Sequence, residues 1–384
     1  MPPEIDDTPL VLHDAFAFPG GGEQVAVTLA RAFGADLRTG LFVPDAFPPD
    51  SFGGRMPENL DAPGRHPLAR RLSMTLAMCR AFENMPATVR PLTIHSGSLC
   101  PLAHARIHGP QVLYCHTPPR ILYDHRAFYM RRQPLLRRPL YAALLRRYRL
   151  AYERAARAMD VIVANSETVR RRIECFLDLP AVVVNPPVDT AAFRNLGQEP
   201  FYLSTGRVDV LKRVDVIVRA FRGLPDKRLV VVSGGSELAR VRELAADCPN
   251  IEIRGWTADA DLKRLVGTCT ATIYIPRDED FGMSPVESMA AGKPVLGVRE
   301  GGLTETVLDG QTGILLPPDP GPEDVARGVA ALDAATALAM RPACEARAGI
   351  FDTRVFVEKM RQIAARLEVP PAGRGVAPAP HRGA

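Results

Sequence analysis

The sequence predicts an α/β protein made of two Rossmann-like domains. Three observations carry this expectation. The chain has 384 residues, more than one hydrophobic core usually organises, so two domains of roughly 150 to 200 residues are expected. Short apolar runs with strand character alternate with stretches of helical period, the pattern of parallel sheets wound on both faces. That alternation begins twice, once near Leu10 and again near Phe201.

The first run opens with LVLHDAFAF (10–18), an apolar strand that breaks at PGGGE before QVAVTLARAFG, where Val25, Leu29, Ala30 and Phe33 recur at helical spacing. QVLYCHTPP (111–119) reads as a strand ending in a proline turn. DVIVANSETVRRRI (160–173) reads as a strand passing into a helix, with Ser166 or Asn165 as N-cap. NPPVDTAAFRNLGQEP (185–200), rich in proline and turn formers, marks the boundary, and Asp189 within it is expected to serve a turn.

From Phe201 the strand and helix signals follow one another through FYLSTG, RVDVIVRAF, RLVVVSGG, SELARVRELAAD and IEIRGW, then ADLKRLVGTC, ATIYIP, SPVESMAAG, KPVLGV, GGLTETVLDG and GILLPP. VFVEKMRQIAARL (355–367) is a last helix, and the residues after it have the composition of a disordered tail. The expected division is 1–190, 191–352, a terminal helix over 353–368, and a tail over 369–384.

Composition narrows the class. Apolar residues make up 46% and charged residues 24% of the chain, ordinary for a soluble globular protein. No run approaches a membrane span, and Met1–Leu10 holds acids and prolines where a secretory signal would be basic, then apolar. A cytosolic enzyme is the expectation. Seven scattered cysteines without C-x-x-C spacing read as reduced core thiols, and the eight histidines lack metal-ligand spacing. Residues 1–195 hold 24 Arg, no Lys and 18 acids, a net of +6; the remainder nets −1.

Chemistry concentrates in EDFGMSPVES (279–288), where Glu279 and Glu287 stand on either side of a tight turn. Ligands of α/β sheets collect at carboxyl ends of strands, where helix N-termini present free N–H groups. The segment fits that place, with ATIYIP as strand, RDEDFGM as turn and a helix expected to begin at Ser284 as N-cap, Pro285 at N1 and Glu287 at N3. Ser284 and Glu287 also have capping-box spacing and would need no ligand to explain them. Glu279 lies outside such a box. A carboxylate there, beside amides freed by Gly282, suits a ligand rich in hydroxyls.

EDFGMSPVESMAAGKPVLGVREGGLTETV closely resembles the donor-site signature of family-4 retaining glycosyltransferases, which have the glycosyltransferase B (GT-B) fold of two Rossmann-like domains facing across a cleft. The resemblance implies that Glu279, with the backbone of Phe281, Gly282 and Met283, holds hydroxyls of a donor sugar, and that Glu287 holds the nucleotide ribose. It assigns Arg207 and Lys212 of STGRVDVLKRVD to the donor diphosphate, where the leaving nucleoside diphosphate gains charge. It matches PGGGE to the family's glycine loop, in which Gly20, Gly21 and Gly22 let backbone approach the diphosphate and the acceptor. YCHTPPRILYD resembles CHTPPRYLYD of a bacterial subgroup, often mannosyltransferases, that acts on lipid-linked or polysaccharide acceptors. His116 would then sit at the cleft beside the reacting carbon. Asp14, Asn165 and Ser166 are further candidates facing the same cleft. The resemblance also implies that the terminal helix packs back on the first domain.

The function so implied is metal-independent, retaining transfer of a hexose, mannose from GDP-mannose by preference, to a lipid-linked or polysaccharide-precursor hydroxyl. The nucleotide sugar is a co-substrate, and no cofactor is expected. A UDP-sugar donor, a sugar-nucleotide epimerase or hydrolase, and a non-catalytic sugar-nucleotide-binding membrane protein remain open. RAFYMRRQPLLRRPLYAALLRRYRLAYERAAR (126–157) carries ten arginines against one glutamate. It reads either as a basic amphipathic surface on anionic lipid or as a solvated helix. The first reading adds peripheral attachment at the inner face of the cytoplasmic membrane to the cytoplasmic expectation. No recognised module points to nucleic acid.

Overall fold

The structure, a computed structural model, describes residues 3–18, 20–43, 47, 49–60 and 70–368; the expected tail, 369–384, lies outside them. Among the described residues the first half supplies ten strands: β1 (Glu4–Ile5), β2 (Leu10–His13), β3 (Asp36–Thr39), β4 (Glu58–Asn59), β5 (Thr88–Val89), β6 (Thr93–Ser96), β7 (Ile107–His108), β8 (Gln111–Cys115), β9 (Val161–Ala164) and β10 (Val182–Val183). Seven of them form a sheet in the order β10-β9-β8-β6-β2-β3-β4, and β1, β5 and β7 form a small separate sheet. The second half supplies β11 (Phe201–Ser204), β12 (Arg228–Val232), β13 (Ile251–Gly255), β14 (Ala271–Ile273), β15 (Val295–Val298) and β16 (Gly313–Leu316), ordered β13-β12-β11-β14-β15-β16. Every strand pair is parallel. The two Rossmann-like sheets predicted from the alternation are present.

Parallel strands need helical crossovers, which bury both sheet faces and explain the continuous apolar runs. The helix Gly21–Phe33 buries Val25, Ala26 and Leu29 against the first sheet, and Ala30 and Phe33 pack at its margin. It stops at Gly34, whose left-handed φ of 59° favours glycine. The helix Thr353–Glu368 places Phe356, Met360, Ile363 and Ala364 in the same core, with Phe356 edge-on to Tyr114 at 5.7 Å. The chain thus returns to the first sheet after completing the second. The outgoing and returning segments run side by side, because Val188 N–H donates to the Phe351 carbonyl (3.1 Å) and Thr353 N–H donates to the Val188 carbonyl (3.0 Å).

In each large sheet the chain winds outward from one strand and then reverses, between β2 and β6 in the first and between β11 and β14 in the second. Ligand crevices of open α/β sheets lie at such reversals, beyond the carboxyl ends of the strands. The cysteines are all free, as expected, but Cys175 is exposed and is not a core thiol.

Candidate functional site

The second sheet builds one wall. Past β11 the chain reaches Arg207 and Lys212, and past β14 it reaches Tyr274 and Glu279. Lys212 Nζ donates to Glu279 Oε2 at 2.6 Å and to the Tyr274 hydroxyl at 2.9 Å. Burial opposes the charge on this ammonium, but Tyr274 and Glu279 outweigh it and hold Lys212 above the usual lysine range. The turn that carries Glu279 is shaped from behind by two glycines. A Cβ on Gly301, whose φ is 54°, would stand 2.2 Å from the Glu279 carbonyl oxygen, and one on Gly302 would stand 2.5 Å from that of Asp280.

The following helix starts two residues earlier than the sequence suggests. It spans Met283–Ala290 with Gly282 as N-cap at φ 90°, so Ser284 is not the cap and the expected box with Glu287 does not form. Gly282 wins because the chain must reverse in the left-handed region, which a serine enters at a steric cost. The Glu287 carboxyl is left half-buried without a hydrogen bond to a described residue. Burial, with Asp259 adding to it and Lys263 opposing, raises its carboxyl to about 7. Phe281 is buried in the second core against Phe351, so only its backbone faces the turn.

The first sheet builds the opposite wall. His13 ends β2, Ser96 ends β6 and His116 follows β8, so all three lie at the first reversal. His13 Nδ1–H donates to the Ser96 carbonyl at 2.5 Å, and Ser96 Oγ lies 2.9 Å from His116 Nε2. Burial and then the neighbouring His13 pull the His116 imidazole down to about 3, so it is neutral at physiological pH. A Cβ on Gly22 would touch both imidazoles, at 3.7 Å from His13 Cε1 and 3.8 Å from His116 Nε2. A Cβ on Gly21 would meet Met283 Sδ at 2.7 Å. The glycine loop of one sheet therefore lies directly against the Glu279–Met283 turn of the other. Arg207 is exposed, paired with Asp209 at 3.4 Å and stacked 5.3 Å over Phe18, just before that loop. Glu23, in the loop helix, is raised to about 7 by burial, with Arg207 opposing.

Contacts that the sequence reading missed tie the two walls together. Arg120, from CHTPPR, donates to the Asp278 carbonyl (3.0 Å) and to its Oδ2 (2.5 Å). Arg172 is ion-paired with Asp278 at 3.0 Å and also with Asp280. The Glu305 carboxylate crosses to the first lobe, accepting from the N–H groups of Glu167 and Thr168, both at 2.7 Å, at the N-terminus of the helix Glu167–Leu177. Asp278 and Asp280 flank Glu279 in a D-x-D spacing that the expectation of no metal passed over; arginines hold both carboxylates. Among the described residues Asp124, His125 and Asp278 come close enough to share a cation. Arg120 donates to both aspartates and supplies positive charge there already.

The further candidates are placed as follows. Asp14 accepts from the N–H groups of Ser98, Leu99 and Cys100 at 2.8–2.9 Å, which occupies its carboxylate in holding the turn after β6. Asn165 is buried; its backbone carbonyl accepts from Asn185 at 3.1 Å, while its Oδ1 has no partner among the described residues. Ser166 caps its helix as expected, accepting from Val169 N–H, and its hydroxyl also reaches across to the Asp280 carbonyl at 2.5 Å. Asp189 caps the short turn Thr190–Ala192.

Comparison with known proteins agrees with this architecture. A family model described as Glycosyltransferase Family 4 matches residues 19–192, and one described as Glycosyl transferases group 1 matches residues 189–347. The D-inositol 3-phosphate glycosyltransferase of Acidothermus cellulolyticus is 34% identical over 193 residues, covering 41% of this chain and 42% of its own. The alpha-1,3/1,6-mannosyltransferase ALG2 of Rhizomucor pusillus is 32% identical over 158 residues, covering 31% and 34%. The chain spans less than half the length of the curated relatives it matches. Anabaena HepE, solved in complex with UDP and glucose, superposes with a TM-score of 0.70 at 16% identity, covering 93% of this chain and 99% of that one. With two adjoining matches laid over two facing parallel sheets, the chain belongs to the family-4 glycosyltransferases of the GT-B fold.

Proposed function

We propose that this protein transfers a hexose, mannose from GDP-mannose by preference, to a hydroxyl of a lipid-linked or polysaccharide-precursor acceptor, with retention of configuration and without a metal. The observation that carries the reading is the Lys212–Glu279 pair, 2.6 Å apart, on the sheet whose Met283 turn meets the glycine loop that lies beside the neutral His116. In this reading Lys212 and Arg207 take up the charge that develops on the departing diphosphate, assisted by the amides of Gly21 and Gly22. Glu279 and the backbone of Phe281, Gly282 and Met283 hold sugar hydroxyls, and Glu287 accepts from the ribose.

His116 contributes as an uncharged imidazole. At a value near 3 it is a poor proton acceptor, which suits a dipolar contact to the sugar or to an electron-poor anomeric carbon better than base catalysis. Retention and metal independence come from the family resemblance. Front-face attack by the acceptor hydroxyl, with the leaving phosphate taking its proton, needs no enzyme nucleophile. The mannosyl preference rests on CHTPPR and on a relative named as a mannosyltransferase.

A UDP-sugar is the second reading, favoured by the fold neighbour solved with UDP and glucose. The proposed acceptor places the protein at the inner face of the cytoplasmic membrane, with residues 126–157 as the surface in contact. No described helix is long and apolar enough to cross a membrane.

A labelled donor incubated with candidate acceptors separates the rivals. Glycosylated acceptor supports transfer, whereas free sugar, isomerised donor or unchanged donor points to a hydrolase, an epimerase or a binding protein. A thermal-shift panel of nucleotide sugars identifies the donor, since the ligand that binds the native state raises its melting temperature. A shift with a UDP-sugar and none with GDP-mannose overturns the mannosyl assignment.

A further inference from the structure

The segment between the cleft and β9 carries apolar surface that the fold does not use. The helix Arg126–Arg131 turns at Pro134 into the short turn Leu135–Arg137, which leads into the helix Arg138–Arg157. The inner face of that long helix is spent on the core, with Tyr141, Leu145, Tyr152, Ala155 and Ala156 buried. Its other end points apolar groups at water: Leu135 is 73% exposed, Leu136 97% and Leu140 64%. Single exposed leucines are ordinary, but three within six residues at one tip are not. The turn that presents them is fixed, because Arg138 donates from Nε to the Gln133 carbonyl and from Nη2 to the Arg131 carbonyl, both at 3.2 Å.

Charge surrounds the tip. Arg131, Arg132 and Arg137 are exposed beside the leucines. Behind them a groove of about 490 Å³ is lined by Leu122, Arg126, Ala142, Leu145, Arg146 and Arg149. The single glutamate of residues 126–157, Glu153, is already bound by Arg149 at 2.7 Å, so it offsets little of this charge. Apolar side chains ringed by guanidinium groups match the boundary of an anionic bilayer, where acyl chains lie beneath phosphates. They match an ordinary protein partner less well, since that would have to supply a dense acidic rim.

We propose that Leu135, Leu136 and Leu140 form a wedge that enters the acyl boundary of an anionic membrane, with the adjacent arginines and the arginine-lined groove engaging lipid phosphates. The wedge lies on the same lobe as His116, and Arg120, which holds the donor turn through Asp278, stands between them in the chain. The inference deepens the membrane contact proposed above for residues 126–157 and rests on it, whereas donor binding does not require it.

The test is sedimentation of the full chain with phosphatidylcholine vesicles, with and without phosphatidylglycerol. Binding is expected only with the anionic lipid and is expected to fall as salt rises. Leu135→Ser with Leu136→Ser should lower partitioning by roughly tenfold or more, while the thermal transition and the nucleotide-sugar shift stay unchanged because both side chains are exposed. Arg131→Gln with Arg137→Gln should weaken binding to anionic vesicles. The proposal is overturned by absence of vesicle binding, by serine variants that bind like the parent, or by concentration-dependent self-association that those variants abolish, which would make the tip a contact between copies of this chain.

Discussion

Replacing Lys212 by methionine keeps the length of the stem and removes the ammonium that donates to Glu279 and Tyr274. The side chains of Lys212 and Glu279 are 18% and 20% exposed, so the substitution leaves a carboxylate four-fifths buried and without its cation. Breaking a fully buried pair from one side costs about 3–5 kcal/mol, and the residual exposure of this one places the expected loss at about 2–3 kcal/mol. In the carboxy-terminal lobe that corresponds to a fall of roughly 5–10 °C in melting temperature. Glu279→Gln strands the ammonium instead and should cost about 1–3 kcal/mol.

The double variant is the decisive member of the set. It has no unpaired charge, so stability should recover by at least about 1 kcal/mol over the sum of the single losses. Transfer should not recover: each single variant is expected to lower kcat/KM by about 10²–10³-fold, and the double to do no better. Calorimetry on the four proteins and initial rates with labelled donor supply both cycles. Additive stability losses would refute the coupling, and a double variant with restored turnover would mean that the two residues only hold each other.

Three further expectations follow from the same geometry. The folded value of Glu287, about 7, lies above its ordinary 4.5, so the fold retains the proton; that stabilisation is present below about pH 4.5 and is lost as pH rises through 7. Glu287→Gln should therefore be the more stable protein at pH 8, by about 2 kcal/mol, while the donor KM of the parent should rise as pH falls below 7; a parent stability curve parallel to that of the variant across this range would contradict it. Glu305→Ala removes the acceptor for two N–H groups at a helix N-terminus, a loss of about 1–2 kcal/mol. It should also loosen the lobes, seen as a larger radius of gyration in solution scattering and a fall in kcat exceeding any change in donor KM. Gly301→Ala drives a Cβ to 2.2 Å from the Glu279 carbonyl oxygen and should displace the turn that carries Glu279. Loss of nucleotide-sugar stabilisation in a thermal shift is the expected result, and a shift equal to that of the parent would contradict it.

Much of the architecture could be read from one dimension because parallel sheets write themselves into sequence as apolar runs separated by amphipathic helices. The last helix was legible for the same reason. Strand β6 escaped because TIHS places three polar residues, Thr93, His95 and Ser96, on a strand that is buried throughout. Its His95 is acceptable there only because the Cys100 carbonyl and Gln111 Oε1 lie at 3.2 and 3.0 Å from its two ring nitrogens, partners that belong to other segments.

The site divides along the same line. Lys212, Glu279 and the glycine loop were named from local motifs, since a tight turn, a carboxylate and a following helix are contiguous in the chain. Tyr274 as the partner of Lys212, and Ser96 joining His13 to His116, were invisible because their partners lie tens of residues away. The largest gap concerns the joint between lobes. Asp278 and Asp280 look in sequence like more acid beside Glu279, yet they are met by Arg120 and Arg172 from the opposite sheet, while Glu305 caps a helix there. Sequence determined which groups line each wall, because those groups sit at fixed offsets from strand ends. Only the tertiary structure decided how the walls are joined, because an ion pair is set by distance in space, and the chain records distance only along itself.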